Sequence, residues 1–301
     1  MLPPTLRLPA FLACVALLSA AGCQRGGKTY TVNLSVPARV GEKSTVVTTS
    51  TTNLATIVKM GVGDQAPIPV KQQTQTRVVR LEAEAETLAV FPNGSVQKAT
   101  LTIKSLRVAL DDKAEAEVLP AGAKVVAEAT TDGQVAFTVD GQPATNDIAA
   151  TLRLVFEPGN PARTDQEKFG PQGPVASGVV WPINGALFAG QFQQEFGDAT
   201  TCDGTVRLDG VTGEGDHQVV AVSGAITLRG LKAPLPDPFV TKSGEGHSLL
   251  QAAVTAAHVG TDTLSMSLNF KFVSESPGPS GGLLTATIDM GGKRESRVTY
   301  H

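Results

Sequence analysis

The sequence predicts a mainly β protein built on a large curved antiparallel sheet, with one short helix near residues 146–156. Three observations support this fold class. Period-2 alternation of apolar and polar residues dominates the chain beyond residue 28. Long Thr- and Val-rich stretches at residues 44–59 and 71–91 favour extended, strongly curved strands. Helical spacing of apolar residues is confined to a single segment.

The N-terminal segment has the order of parts of a bacterial export signal. Residues 1–7 carry one positive charge, residues 8–21 are apolar, and small residues lead to Gly22 and Cys23. The apolar run is too short to cross the roughly 30 Å hydrocarbon core of a bilayer as a helix. A cleaved signal peptide over residues 1–22 is therefore predicted, and it lies outside the fold.

Residues 19–23, Ser-Ala-Ala-Gly-Cys, resemble a bacterial lipobox. The resemblance implies that lipid is attached to Cys23, that the chain is cut before it, and that residues 23–28 form a lipidated tether. Ala20 departs from the leucine that the pattern favours, and an ordinary secretory signal is the alternative. Gln24 differs from the aspartate of an inner-membrane retention signal, which favours the outer membrane, on its periplasmic or surface face. Acyl chains, at about 0.8 kcal/mol per buried methylene, would hold the domain there.

Cysteine usage and charge limit the classes of function. Cys14 leaves with the signal and Cys23 takes the lipid, so Cys202 remains alone and no internal disulfide can form. Asp203 disfavours a thiolate beside it, so Cys202 is predicted to be a small buried residue rather than a nucleophile. Loss of Arg7 changes the formal net charge from −3 to −4. The chain has no basic stripe with interleaved aromatics, which excludes nucleic acid as a partner.

The remaining elements are predicted from periodicity and turn residues. Asn146 can cap a helix that runs to Phe156 and is followed by Pro158-Gly159. Even-numbered apolar residues over 264–272 and 284–290 indicate two half-buried strands. Gly291-Gly292 then predicts a primed turn and a terminal hairpin with residues 295–300.

A hairpin around Pro92-Asn93-Gly94 fixes the register of two long strands. A three-residue loop with Gly94 in the left-handed position sets Phe91 opposite Ser95. Counting back from that pair gives the following cross-strand pairs: Ala85 with Leu101, Ala83 with Ile103, Glu84 with Thr102, and Glu82 with Lys104. This register buries the alanine face and gives Glu82 a neighbouring cation.

Pro and Gly gather in residues 158–174 and divide the mature chain into β-halves at residues 29–157 and 175–301. The segment VRLE at 79–82 matches VRLD at 206–209, and each is followed by a second short match at nearly the same separation. Either an internal duplication or coincidence between β-rich segments accounts for this. If the duplication is real, two similar β-halves share one core or pack side by side.

The lipobox, an opening near residues 40–43, an Asp132-Gly133 turn, and the later Gly178 and Trp181 resemble uncharacterised bacterial lipoprotein families of unknown function. The predicted sheet also resembles, in architecture alone, the LolA-like half-barrel lipoproteins. In those proteins a curved antiparallel sheet wraps an apolar cavity that holds acyl chains. The second resemblance implies a lipid ligand by analogy of architecture.

Catalytic motifs are present only as fragments. Residues 278–282 match G-x-S-x-G, but a strand pattern follows where that motif needs a helix, so Ser280 is predicted to lie in a loop. Three further fragments match pieces of the penicillin-binding signature in the wrong order: Ser95 with Lys98, residues 242–244, and residues 267–269. The four histidines have no spacing that suits zinc and are predicted to be solvated: His217, His247, His258 and His301. The acidic turn at 209–216 lacks the spacing of a calcium loop.

Glu82, Glu84 and Glu86 lie on one face of a predicted strand, about 6.6 Å apart. A glycosidase pair or a cation site is one interpretation of this row. An outward polar face is favoured, because Leu81 and Ala83 alternate with these residues. No catalytic residue, metal site or cofactor is therefore predicted.

The preferred functional hypothesis is a non-enzymatic, lipid-anchored envelope protein that binds or carries an apolar ligand. Small and aliphatic inward residues on a curved sheet can leave an apolar concavity that aromatic side chains would fill. The alternatives are a structural or protein-docking module with a packed core, and a hydrolase built from distant residues. The predicted partners are accordingly the membrane and a lipid or an envelope protein.

Overall fold

The computed structural model describes residues 28–61, 67–131, 134–190, 192–233, 235, 237–278 and 281–301. The predicted signal peptide, Cys23 with its predicted lipid attachment, the predicted turn at Asp132-Gly133, and Ser280 lie outside these ranges.

Strands dominate the described residues, as the sequence predicts. The strands are β1 (Thr29–Tyr30), β2 (Lys43–Gly61), β3 (Ile68–Val90), β4 (Val96–Leu110), β5 (Ala116–Leu119), β6 (Lys124–Ala129), β7 (Val135–Val139), β8 (Gln142–Pro143), β9 (Val175–Ala176), β10 (Val180–Pro182), β11 (Thr201–Thr212), β12 (Val219–Arg229), β13 (Val240–Thr255), β14 (Thr261–Pro277) and β15 (Leu283–Tyr300). The helices are α1 (Asn146–Val155), α2 (Asp165–Phe169), α3 (Gly185–Ala189) and α4 (Gln193–Phe196), with a 3-10 turn at Gly215–His217.

One 13-stranded open sheet carries the fold, in the order β10-β11-β12-β13-β14-β15-β2-β3-β4-β6-β7-β8, with β5 beside β4. The chain runs outward from β2 to β8, crosses through the helical region to the opposite edge, and returns through β10 to β15. The last strand thus pairs antiparallel with β2 along its whole length. The predicted mainly β class with a large antiparallel sheet is confirmed.

Both hydrophobic cores lie on one face of this sheet, here called the inner face. Alternation places the buried side chains of neighbouring strands together, for example Val46, Ala83 and Val298 across β2, β3 and β15. The N-terminal core packs under α1 through Leu152 and Val155. The C-terminal core packs under α2, α3 and α4 and contains most of the aromatic residues. The two cores therefore sit side by side on a shared sheet.

The predicted helix near 146–156 is present as α1, but its cap differs from the prediction. Thr145, not Asn146, is the N-cap, and its side chain makes no capping hydrogen bond. The short helices α2, α3 and α4 were not predicted. The start of α2 has a capping box between Thr164 and Glu167, a pattern that is readable in the sequence. Phe169 at the end of α2 enters the C-terminal core, so the Pro/Gly-rich connection also contributes to packing.

The prediction of a hairpin turn at Gly291-Gly292 is wrong. Strand β15 runs unbroken through both glycines, which pair with Asn53 and Thr52 of β2 on one side and with β14 on the other. Both flanking strands are long enough to bond β15 on each side throughout. A turn here would leave their hydrogen-bonding groups without partners, so the continuous ladder is favoured.

The predicted register of the β3-β4 hairpin is confirmed from Ala83 to Ala85 and is wrong at Glu82. Phe91 donates to the Ser95 carbonyl at 2.8 Å, and Gly94 has φ +82°, as the three-residue loop requires. Ala83 pairs with Ile103 as predicted. A β-bulge follows, so Glu82 pairs with Ser105 instead of Lys104. A bulge adds one residue to one strand and shifts every later pair.

The two VRL segments occupy inward-facing positions in both β-halves. Val79 and Leu81 on β3 point into the N-terminal core, and Val206 and Leu208 on β11 point into the C-terminal core. Their partners differ, since Leu81 pairs with Leu106 and Leu208 with Val222. Residues 29–35 pack with the C-terminal half, because β1 pairs with β9 and Val32 lies in that core. An internal duplication stays a prediction.

Candidate functional site

A groove opens on the inner face between the two cores, and it is here called the inner groove. Half-buried apolar side chains from three strands line its floor: Leu54 of β2, Leu268 of β14 and Met290 of β15, with Phe270 beside them. One wall is α1 with Ile148, and the other side is closed by the ends of β4 and β5. The groove encloses about 780 Å³ and is open to solvent along one side.

Gly292 has no side chain to fill the groove above the middle of this floor. It faces inward on β15, between Thr52 of β2 and Leu268 of β14. A Cβ added there would meet Thr51 O at 3.4 Å and Thr52 Cγ2 at 3.9 Å, both ordinary van der Waals contacts. Any larger side chain at this position would therefore project into the groove. The same strand is filled elsewhere, since Ala286 and Ile288 are buried.

Two inward-facing arginines reach from the sheet to α1. Arg77 of β3 lines the groove and donates from Nη2 to the Thr151 hydroxyl, which itself donates to the Asp147 carbonyl at 2.7 Å. Arg294 of β15 donates from Nη2 to the Val155 carbonyl at 3.2 Å, one helical turn further on. The arginines thus fix the helix that walls the groove.

Neither guanidinium is fully satisfied. The Nε atoms of Arg77 and Arg294 are buried, and no atom of the residues that the structure describes accepts a hydrogen bond from them. Among the described residues, neither arginine has a carboxylate within 4 Å, although Asp147 lines the same groove as Arg77. Burial lowers the pKa of Arg294, and the charge of Glu157 opposes that shift. The inner groove therefore combines an apolar floor with a guanidinium, that of Arg77, which forms no close ion pair among the described residues.

Sequence reasoning missed these two arginines, although a signal was present. Arg77 lies two and four residues before Val79 and Leu81 on the same strand, so alternation places all three side chains on the inner face. An arginine at an inward position between apolar residues is unusual, because burying an unpaired charge is costly. Arg294 was obscured by the incorrect turn at Gly291-Gly292.

The acidic row on β3 lies on the outer face, away from the inner groove. Side chains of Glu82, Glu84 and Glu86 are 50%, 43% and 41% exposed. Lys104 pairs closely with Glu84 and lies 4.0 Å from Glu82. The hydrogen bond from Lys104 lowers the pKa of Glu84, with Thr45 contributing. This row is a solvated ionic surface.

Cys202 lies on β11 beside the C-terminal core and is half-buried. Burial, with a smaller contribution from Asp203, raises the pKa of its thiol to about 11. Asp203 itself pairs with Arg229. A thiol with a raised pKa is a poor nucleophile, so this environment supports the structural interpretation of Cys202.

The histidines do not converge. His217 lies in the exposed 3-10 turn, His247 is exposed on β13, and His301 contacts Thr45 at 2.8 Å. His258 lies in the loop after β13, where it contacts Glu42 at 2.8 Å and stacks on the Tyr300 ring at 4.4 Å. Within the described ranges, no three His, Cys, Asp or Glu side chains come close enough together to hold a metal ion.

The acidic turn at 209–216 begins with Asp209, whose carboxylate already has hydrogen-bond partners. Arg207 Nε donates to it at 2.7 Å and the Ser223 hydroxyl donates at 3.0 Å. This carboxylate thus holds neighbouring strands together on the sheet surface.

The residues that matched penicillin-binding fragments make contacts within the hairpin loop and between neighbouring strands. Ser95 Oγ donates to Asn93 Oδ1 at 2.7 Å in the hairpin loop, and Lys98 pairs with Glu128 at 2.8 Å. Lys242 pairs with Glu275 across β13 and β14 at 3.3 Å. The structure does not bring these fragments together with residues 267–269, which lie within β14.

Comparison with known proteins adds no relative. No protein-family model matches the chain, and a search of curated proteins finds no match. In the part of the chain that the structure describes, no helix is long and apolar enough to cross a membrane.

Proposed function

We propose that this protein is a non-enzymatic, lipid-anchored lipoprotein of the cell envelope that binds an apolar or lipid ligand in the inner groove. The observation that carries the proposal is the groove floor, where Leu54, Leu268 and Met290 stay half-exposed in a concave surface. Its volume of about 780 Å³ lies within the roughly 300–1,000 Å³ of small-molecule sites.

The conclusion that the protein is not an enzyme belongs to the same proposal. The hydroxyl nearest the groove guanidinium, that of Thr151, accepts from Arg77 and donates to the Asp147 carbonyl. It is thus fully engaged in holding α1. Arg77, Asn53, Gln75 and Asp147 supply polarity and orientation to a ligand without forming a nucleophile–base pair.

The binding proposal is tested with the chain from residue 24, which retains every described strand and helix but lacks Cys23. Native mass spectrometry of this protein should detect co-purified lipid, and the delipidated protein should bind the apolar fluorophore N-phenyl-1-naphthylamine. Gly292→Trp should weaken fluorophore binding at least tenfold, because the indole would fill the groove while β15 stays paired. Gly210→Trp is the matched control, since a Cβ at Gly210 meets no atom within 4 Å and this glycine lies on β11, outside the groove lining.

Absence of bound lipid together with absence of fluorophore binding would favour a structural or protein-docking module. Equal loss of binding in the Gly210 and Gly292 variants would show that the effect is not specific to the groove.

The membrane anchor is tested separately through Cys23. Cys23→Ala should release the protein from membranes, because a domain with net negative charge then has no acyl chains to hold it. The measurement is membrane fractionation before and after a carbonate wash, together with incorporation of labelled fatty acid. Wild-type protein that incorporates no fatty acid, or variant protein that still pellets after the wash, would contradict the anchor.

A further inference from the structure

Arg77 presents hydrogen-bond donors to the inner groove. It has five N–H donors, and the Thr151 hydroxyl is the partner of one Nη atom. Its Nε atom is buried and has no hydrogen-bond partner in the part of the chain that the structure describes. The side chain as a whole is half-buried and lines the groove, so a ligand there would meet the Nη donors that Thr151 does not use. Asp147 lines the same groove but forms no ion pair with Arg77 within 4 Å among the described residues, which leaves the guanidinium available to an anion.

The surroundings of Arg77 define which anion fits. The guanidinium lies at the edge of the groove floor, between the α1 wall and the apolar row formed by Leu54, Leu268 and Met290. A ligand that satisfied Arg77 would therefore place its remaining atoms against aliphatic side chains. A fully polar anion would leave this floor uncovered, and an uncharged hydrocarbon would leave the guanidinium unsatisfied.

We propose that Arg77 binds the anionic head group of a single-chain amphiphile, whose hydrocarbon chain lies along the groove floor. This inference rests on the proposed ligand-binding function and adds the ligand's chemistry to it. Carboxylate and phosphate share the geometry that a guanidinium recognises with two parallel hydrogen bonds, so both head groups suit Arg77. The groove volume of about 780 Å³ lies within the range of small-molecule sites.

Arg294 has a supporting role in this arrangement. It binds the Val155 carbonyl one helical turn beyond Thr151 and holds the same helix against the sheet. Its positive charge adds to the field that an anion would meet in the groove. Arg77 is the residue that lines the groove and contacts the head group.

The test compares three probes that share a chain and differ in the head group: dodecanoate, dodecyl phosphate and dodecanol. Dissociation constants are measured by displacement of N-phenyl-1-naphthylamine at pH 8, where dodecanoate is ionised. Wild-type protein should bind at least one anionic probe about tenfold or more tightly than dodecanol, as a charge-assisted hydrogen bond predicts. The tighter of the two anionic probes identifies the head group as carboxylate or phosphate.

Arg77→Gln should remove this preference, so that the anionic probes bind the variant no more tightly than dodecanol does. The ratio of the dissociation constants within one protein is the readout, because Arg77 also holds the α1 wall. Arg77→Lys keeps the charge but loses the paired donors, so it should retain part of the preference. Arg107→Gln is the matched control, because it removes the same charge from an exposed position on neighbouring β4.

Two results would overturn the inference and leave the proposed function standing: equal wild-type affinity for all three probes, or an unchanged preference in a folded Arg77→Gln. Failure of every probe to bind would instead reject the proposed function. The wild-type comparison needs no substitution, so the inference stays testable even if Arg77→Gln does not fold.

Discussion

The two cores on the inner face are built from different side chains. The C-terminal core is aromatic, with Phe196 and Phe272 stacked at 5.6 Å and Phe270 only 4.8 Å from Phe196. The N-terminal core is aliphatic and is closed by α1 through Leu152 and Val155. The inner groove lies where the aromatic residues stop, beyond Phe270 along β14. Bulky rings fill the concavity of a curved sheet, whereas smaller side chains leave part of it open.

The largest expected effect tests this contrast in packing. Phe272→Ala should lower the free energy of unfolding by about 3–5 kcal/mol, because it removes a fully buried ring from a rigid aromatic cluster. Leu152→Ala in the N-terminal core should cost about 2–4 kcal/mol, since the aliphatic surroundings and α1 can partly collapse into the space. Urea unfolding of both variants measures the two values.

A larger loss of unfolding free energy for Leu152→Ala than for Phe272→Ala would contradict this expected difference. The N-terminal core would then be the one that relaxes less around a cavity. Leu208→Ala, another buried leucine but within the C-terminal core, is the matched control for side-chain type.

A second pair of substitutions compares filled and open positions on one strand. Ala286 and Gly292 both face inward on β15, but Ala286 is buried and lies outside the groove lining. Ala286→Trp should destabilise the protein by about 1–3 kcal/mol through overpacking. Gly292→Trp should cost less, because the indole enters open space. Ala286 thus belongs to the packed part of β15 and Gly292 to the groove lining.

Equal destabilisation by the two tryptophans, measured by thermal unfolding, would mean that the groove is closed in solution. A Gly292→Trp protein that is as stable as the wild type but no longer binds the fluorophore would confirm the difference.

The packing around Tyr300, where β15 pairs with β2, should make the protein less stable at alkaline pH. Tyr300 of β15 donates to Asp262 Oδ2 at 3.0 Å and stacks on His258. Burial, together with the charge of Asp262, raises the pKa of Tyr300 well above its ordinary value. A group whose pKa is raised by folding contributes stability below its unfolded pKa and loses it above, so stability should fall as pH rises beyond about 10.

The measurement is urea unfolding between pH 8 and pH 11. Tyr300→Phe should lessen the fall with pH, whereas Tyr30→Phe, at the only other tyrosine, should preserve it. An unchanged pH dependence in Tyr300→Phe would assign the alkaline loss to other groups.

Local sequence patterns predicted much of the sheet, because the apolar residues that alternate along each strand are also the buried ones. Ala83 pairs with Ile103 as expected, since both turn geometry and the apolar face select that register. The bulge at Glu82 was not predictable, because an extra residue on an outer face costs little in burial and leaves no sequence signal. The turn at Gly291-Gly292 failed for the opposite reason. Strands distant in sequence flank these glycines on both sides and outweigh the local preference.

The candidate site was predicted in kind and missed in detail. Small and aliphatic inward residues predicted an apolar concavity, and Leu268 and Met290, which line the inner groove, lie in the half-buried strands predicted over 264–272 and 284–290. The groove also needs α1 as a wall and Arg77 as its charge. The position at which a helix packs on a sheet depends on contacts between residues distant in sequence, and a local sequence pattern does not encode these contacts. The inward position of Arg77 is the one further feature of the site that the alternation along β3 could have predicted.

The smallest expected effect lies on the outer face behind the N-terminal core. Lys104 Nζ is 4.0 Å from Glu82, and it pairs more closely with Glu84, which also accepts from the Thr45 hydroxyl. Exposed ion pairs contribute about 0–1 kcal/mol because solvent screens them. Glu82→Gln should therefore change the free energy of unfolding by less than about 1 kcal/mol, and by less than Glu84→Gln does. Both proteins should bind the groove fluorophore as tightly as the wild type, since this face lies opposite the inner groove. A loss of binding in Glu82→Gln, measured by fluorescence titration, would extend the site through the sheet and reopen a ligand-binding role for the acidic row.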